Sequence, residues 1–164
     1  MKENKVVFLT QAALIAAVYV VLCVVFAPIS YGEVQVRVAE ALVILPFFTP
    51  AAIPGLFVGC FLSNLIGGSI ILDVVCGSLA TLLGAVGSYY LRKSKILVLL
   101  PPIVANSLIV PFVLRYGYGV PLPIPFMMLT VGIGEVIAVA GLGSALLHVL
   151  MRYRHVVFRG QSYI

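Results

Sequence analysis

The sequence predicts an all-α membrane protein, a compact bundle of six transmembrane helices in which the second and third are short. Three observations carry this. Of 164 residues, 63% are hydrophobic and only 9% charged, and the mean hydropathy of +1.22 leaves too little polar surface to cover a soluble domain of this length. The apolar residues fall in long runs, which suit membrane helices and not the short alternating strands of an outer-membrane barrel. The basic residues sit at the ends of those runs. A net charge of +5 can suggest nucleic acid in a soluble protein, but placed this way it reads as membrane topology, with no nucleic-acid partner. A single domain over residues 1–164 is expected.

The chain opens MKENKVVFLTQAALIAAVYVVLCVVF. The apolar stretch is too long for a signal-peptide core and lacks a small-residue cleavage site, so it reads as the first transmembrane helix, about residues 6–27. A loop from Pro28 to Glu33 leads into EVQVRVAEALVILPFF, whose helix runs from about Val38 to Thr49. TPAAIPGLFVGCFLSNLIGG makes a third helix, and Gly67 to Ser69 a polar turn. The fourth helix covers about 70–91 and ends at a basic connection, Arg92, Lys93 and Lys95. A fifth runs to about Tyr116, with Pro101, Pro102 and Pro111 expected to break it. YGYGVPLPIP is a loop, and a long last helix ends near Met151, before Arg152, Arg154 and Arg159. Cys23, Cys60 and Cys76 lie singly in apolar runs without metal-ligand spacing and read as buried free thiols.

The positive-inside rule places the amino terminus, residues 92–95 and the carboxyl terminus on the cytoplasmic side. An even number of crossings must then separate residues 6 and 91, so residues 33–67 cross twice as two short helices or dip in as a re-entrant hairpin. Six helices is the expectation. In that topology the polar residues gather in the outer and central membrane. Gln35, Arg37 and Glu40 lie at the mouth of helix 2, Ser63 and Asn64 near the outer end of helix 3, and Asp73 in the first turn of helix 4. Asn106 is mid-way along helix 5, and Glu135 about eleven residues into helix 6. The inner halves carry almost none. This describes a cavity opening away from the cytoplasm and not a channel, which needs polar lining throughout.

Each residue also has a plainer role: Arg37 and Glu40 can pair along one helix face, Asp73 can serve the helix start, and Asn64 and Asn106 can bond helices together. Glu135 is hardest to dismiss, because a mid-membrane carboxylate needs a partner. Around the same mouth stand Tyr31, Phe47, Phe48, Tyr116, Tyr118 and Phe126, candidates for stacking on a flat solute. Ala12, Ala13, Ala16 and Ala17 make two overlapping small-xxx-small pairs where another helix can approach closely. Gly84 with Ser88 and Gly141 with Ala145 read as internal packing pairs.

QAALIAAVYVVL, VQVRVAEALVILPFFTPAAIPGLFVGC and LDVVCGSLATLLGA resemble, in order over about the first 90 residues, the queuosine-precursor transporter family (QueT). These are substrate-binding S components of energy-coupling factor (ECF) transporters. The resemblance implies a multi-pass protein of the bacterial cell membrane, with both termini cytoplasmic, that captures a 7-deazaguanine from outside. Its partners would be an ECF transmembrane coupling subunit and two ABC ATPases. It implies docking through Ala12/Ala16 or Ala13/Ala17, and no cofactor, since ATP is used by the partner subunits; the chain has no P-loop of its own. The site list Gln35, Arg37, Glu40, Asn64, Asp73, Asn106 and Glu135 comes from the residues and not from the family. The rivals are an S component for another flat vitamin or nucleobase, or a stand-alone proton-coupled secondary transporter using Glu135 and Asp73. An intramembrane enzyme is disfavoured: His148 and His155 lie at or beyond the cytoplasmic end of helix 6, with no nucleophile–base pair in sight.

Overall fold

A computed structural model describes residues 5–30 and 37–157. Gln35, Tyr31 and Arg159 fall outside the described residues. The described chain is helical, with no strand among these residues, and six helices account for it. Helix α1 is Lys5–Val25, followed by a single turn at Ala27–Ser30; α2 is Val38–Phe47, α3 Ala52–Ile66 and α4 Ile71–Tyr90. Helix α5 is Leu100–Tyr116, entered through a 3-10 turn at Leu97–Leu99. Helix α6 joins α-helical Ile124–Glu135 and Ser144–Val157 through a π-helical segment, Val136–Gly143. Four of these are long and apolar enough to cross a membrane, and α2 and α3 are the short ones.

Two helices depart from regular α geometry. α2 is a 3-10 helix of 10 residues, long for its type, and every residue from Ala39 to Pro46 is buried. Packing on all sides holds it in the thinner coil. The π segment of α6 sets Gly143 against the Ala41 carbonyl and Ile44 of α2. The prolines of α5 do not break it. Pro101 and Pro102 occupy its first turn, where no N–H is needed, and Pro111 is carried inside it.

α2 is the centre of the bundle. It packs against α1, α3, α4 and both the π and last segments of α6, while α1·α3, α3·α4, α4·α5 and α5·α6 form the surrounding wall. Contacts set the directions. Gly55 lies on Ala12 and Gly59 on Ala16 and Tyr19, so α3 runs alongside α1. Thr49 meets Gln11 where Glu40 meets Tyr19, so α2 runs against α1. Asn64 reaches Asp73 and Thr81 reaches Cys60, so α4 returns against α3; Ser88 bonds the Val98 carbonyl, so α5 turns back again. Lys5, the Arg92–Lys95 turn and Arg152 thereby share one end of the bundle. Val38–Phe47 and Ala52–Ile66 contribute two antiparallel passes to this arrangement.

The shortness of α2 sets the depth of its polar start. At ~2.0 Å per residue a 3-10 helix of this size spans about 20 Å, against a ~30 Å hydrocarbon core. With its far end beside Gln11, Arg37 and Glu40 begin below the opposite rim, level with Tyr19 of α1 and Cys60 of α3. The same length carries Phe47 and Phe48 to the basic end, where they join the main apolar cluster with Ala52, Leu147 and Met151. They are not mouth residues, a correction to the sequence reading. Cys23 and Cys60 are buried free thiols, but Cys76 is only partly covered. Gly84 packs on Pro102 as expected, whereas Gly141 and Ala145 are exposed and pack nothing inside.

Close approach of α1 and α3 depends on glycine. A Cβ on Gly59 would stand 2.8 Å from the Tyr19 Cβ and 3.1 Å from the Ala16 carbonyl. Gly59→Val is expected to cost about 2 kcal/mol by overpacking and to lower the thermal midpoint in detergent. An unchanged midpoint would mean that α1 and α3 have room to separate.

Candidate functional site

Beneath the rim opposite the basic end, polar side chains from all six helices form one connected cluster. Glu40 is its hub. The Tyr19 hydroxyl of α1 donates to Glu40 Oε1, Thr81 of α4 donates to the same oxygen at 3.3 Å, and Asn106 Nδ2 of α5 donates to Oε2 at 3.4 Å. A carboxylate fully desolvated inside an apolar bundle needs such donors, because the alternative is an uncompensated charge costing several kcal/mol. Asn106 also serves Glu135 of α6, which lies near enough for the two carboxylates to interact.

Arg37 begins the second half of the cluster. Extended backbone at this residue, just ahead of α2, lets the guanidinium reach α3 and α4. Its Nη1 points at Cys60 Sγ, 3.9 Å away, and its Nη2 lies 3.7 Å from Asp73 Oδ2, an ion pair too long to be a hydrogen bond. Asn64 Nδ2 donates to the Asp73 carbonyl at 3.4 Å. Gly77 makes room for all three: a Cβ there would stand 3.0 Å from Asp73 Oδ1, 3.2 Å from Asn64 Nδ2 and 3.9 Å from Arg37 Nη1. From the loop after α5, Tyr118 donates to Asp73 Oδ2 at 2.9 Å. Partial burial, reinforced by the Asp73 charge, holds the Tyr118 phenol above its ordinary 10.0.

What the cluster lacks is as informative as what it has. Arg37 Nε and Nη2, Asn64 Oδ1, Asp73 Oδ1 and Glu135 Oε2 are buried with no hydrogen-bond partner. Natives rarely leave buried polar atoms unpaired, and each costs ~1–3 kcal/mol. Arg37 Nε and Nη2 form the side edge of the guanidinium, a fork of parallel donors. The oxygens of Asn64, Asp73 and Glu135 are acceptors. A small solute with a carbonyl edge and several N–H groups is the complement of this set.

Six of the seven sequence-predicted site residues, Arg37, Glu40, Asn64, Asp73, Asn106 and Glu135, come together here; Gln35 lies outside the described residues. Arg37 pairs with Asp73 and not with its helix neighbour Glu40. Sequence reasoning missed Tyr19, Cys60 and Thr81. Tyr19 follows Ala12 and Ala16 on the α3-facing stripe of α1, a spacing that places it inward, but a lone tyrosine in an apolar run carries no further signal. Of the rim aromatics, Tyr116 and Phe126 are exposed, and Tyr118 is the one that joins the cluster.

Residues 9–152 match the profile of the QueT transporter family. The chain belongs to this family. A curated relative, the "Queuosine precursor transporter QueT" of Lactococcus lactis subsp. cremoris (strain MG1363), is 37% identical over 84 residues, half of this chain and 49% of that protein. The match thus spans about half the length of the relative. No solved structure matches. Family membership and the four long apolar helices agree on a membrane transporter.

The alanine stripe of this family member divides cleanly. Ala12 and Ala16 face inward against Gly55 and Gly59 of α3, whereas Ala13 and Ala17 are exposed on the outer face of α1.

Removing one donor from the hub tests its weight. Tyr19→Phe leaves Glu40 Oε1 with the longer Thr81 bond alone and is expected to cost about 2 kcal/mol, read by denaturation in detergent. Thr81→Val should cost less, and the reverse order would mean that the Tyr19 bond is not the main support of Glu40.

Proposed function

We propose that this chain is the solute-capturing S component of an ECF-type importer and binds a queuosine precursor, a 7-deazaguanine, from outside the cell. The observation that carries the reading is the set of buried, unpartnered donors and acceptors on Arg37, Asn64, Asp73 and Glu135, in a chain whose family and relative are named for this transport. The Arg37 fork meets the ring carbonyl. A carboxylate accepts the ring N–H and exocyclic amine together, the pairing that a guanine-like edge offers. Gln35, Glu40 and Asn106 complete the set of binding residues.

Energy comes from elsewhere. The solute-loaded subunit docks on an ECF transmembrane coupling subunit with two ABC ATPases, which hydrolyse ATP, and this chain performs no catalysis. Docking uses Ala13 and Ala17, because Ala12 and Ala16 are already occupied by α3. The end bearing Lys5, Arg92, Lys93, Lys95 and Arg152 is cytoplasmic by the positive-inside rule, which opens the polar cluster to the exterior of a bacterial cell membrane.

Calorimetry with 7-deazaguanine on the purified protein tests the site. Arg37→Ala is expected to weaken binding at least about 100-fold, or ~2.7 kcal/mol, while the protein still inserts and elutes as a single species. Wild-type affinity in that variant would remove Arg37 from the site. Ala13→Trp combined with Ala17→Trp should abolish uptake and co-elution with the coupling subunit but leave solute binding intact. Uptake persisting without any ATPase would favour a proton-coupled secondary transporter instead.

A further inference from the structure

The wall of the bundle does not close on itself. α1 packs on α3, α3 on α4, α4 on α5 and α5 on α6, but α1 and α6 each pack on α2 and barely on each other. A strip of α2 shows through the gap. There a narrow groove of about 180 Å³ is lined by Leu14, Ile15 and Val18 of α1, Leu42 and Leu45 of α2 and Leu150 of α6. Its walls are hydrocarbon except toward the basic end, where Gln11 and Thr49 line it and bond to each other at 3.1 Å. This is a third face of α1. At about 100° per residue, Gln11, Ile15 and Val18 point away from Ala12 and Ala16, which meet α3, and from Ala13 and Ala17, which are exposed.

Positive charge gathers at the polar end of the groove. Lys5 begins α1 about 9 Å below Gln11, and Arg152 and Arg154 follow Leu150 at the end of α6, with Arg154 one turn on along the same face. All three are exposed. The carboxylates of the described residues, Glu40, Asp73 and Glu135, are buried in the polar cluster at the other end, so none of them offsets this charge.

An apolar slot with cations at its mouth complements a hydrocarbon tail with an anionic head. A helix, ~10 Å across, is too thick for a slot of this size, whereas one acyl chain is not. A polar solute finds no partners along the slot. Basic pockets between membrane helices on the cytoplasmic side hold anionic headgroups, and long basic side chains at helix ends reach the headgroup level.

We propose that the groove between α1 and α6 binds one anionic phospholipid of the inner leaflet. A chain lies along Leu14, Val18 and Leu45, and the phosphate is held by Lys5, Arg152 and Arg154. Gln11 and Thr49 stand at the depth of the ester carbonyls. The lipid completes the wall that the helices leave open. The site is separate from the polar cluster and does not rest on what that cluster binds.

Native mass spectrometry tests this on the purified full-length protein, released from micelles holding equal amounts of phosphatidylglycerol and phosphatidylcholine with matched chains. Wild type is expected to retain one phosphatidylglycerol at least about tenfold over phosphatidylcholine, since each basic residue near the headgroup is worth about fivefold. Lys5→Gln combined with Arg152→Gln and Arg154→Gln should reduce that preference to below about threefold. Leu14→Trp combined with Val18→Trp, at two exposed positions, should fill the slot and remove the retained lipid of either kind. No preference in wild type would overturn the proposal, and that result needs no variant to fold. Lipid retained unchanged by the tryptophan pair would overturn the assignment to the groove. If that pair instead abolishes a dimer mass, or co-elution with the coupling subunit, while the lipid stays, the groove belongs to a second copy or to that subunit and the proposal falls.

Discussion

A carboxylate placed inside an apolar bundle has no water to fall back on, and the architecture of this protein follows from how Glu40 is satisfied. Its donors arrive from α1, α4 and α5, each a separate wall element. To be reached from three sides, Glu40 must sit on a helix at the centre. α2 is that helix, buried along almost its whole length and wound as a 3-10 coil. The site and the fold are thus one arrangement: the helix that carries the polar hub is also the core around which the other five close.

The polar cluster differs in kind from the other polar contacts of the bundle. Ser88 donates to the Val98 carbonyl and Thr49 to Gln11; these are local ties between helices. Around Arg37, Asn64, Asp73 and Glu135 the contacts between helices are long, apart from the Tyr118 bond to Asp73 from the loop, and several atoms have no hydrogen bond. A bundle selected for stability alone would gain by pairing them or replacing them with apolar groups. Their retention fits the proposal that this cluster receives the solute, since a transporter must hold a polar solute within the membrane.

The two faces of α1 divide one small-residue stripe between them. Ala12 and Ala16 let α3 approach so closely that glycine is required opposite them, at Gly55 and Gly59. Ala13 and Ala17, one position along, point away from the bundle. The overlapping pairs are indistinguishable by spacing. A turn of about 100° per residue sends one pair to the interior and the other to the periphery, and only the position of α3 decides which is which.

Much was legible in the chain itself. Hydropathy marks four long helices because each must present apolar side chains to lipid along its whole length. Basic residues at run ends, counted by side, require the segment between the first and fourth helices to cross twice or to dip in and return. Isolated polar residues such as Glu135 and Asn106 announce a shared site, since single charges in such segments need partners. Other features arise only from packing. That α2 is central, that it is a 3-10 helix, and that Phe47 and Phe48 lie at the basic end depend on neighbours distant in sequence. So does the choice of partners, Arg37 with Asp73 and Glu40 with Tyr19. Composition and period report what a residue needs from its surroundings; which residue supplies it is a matter of three-dimensional neighbourhood, decided when the helices pack.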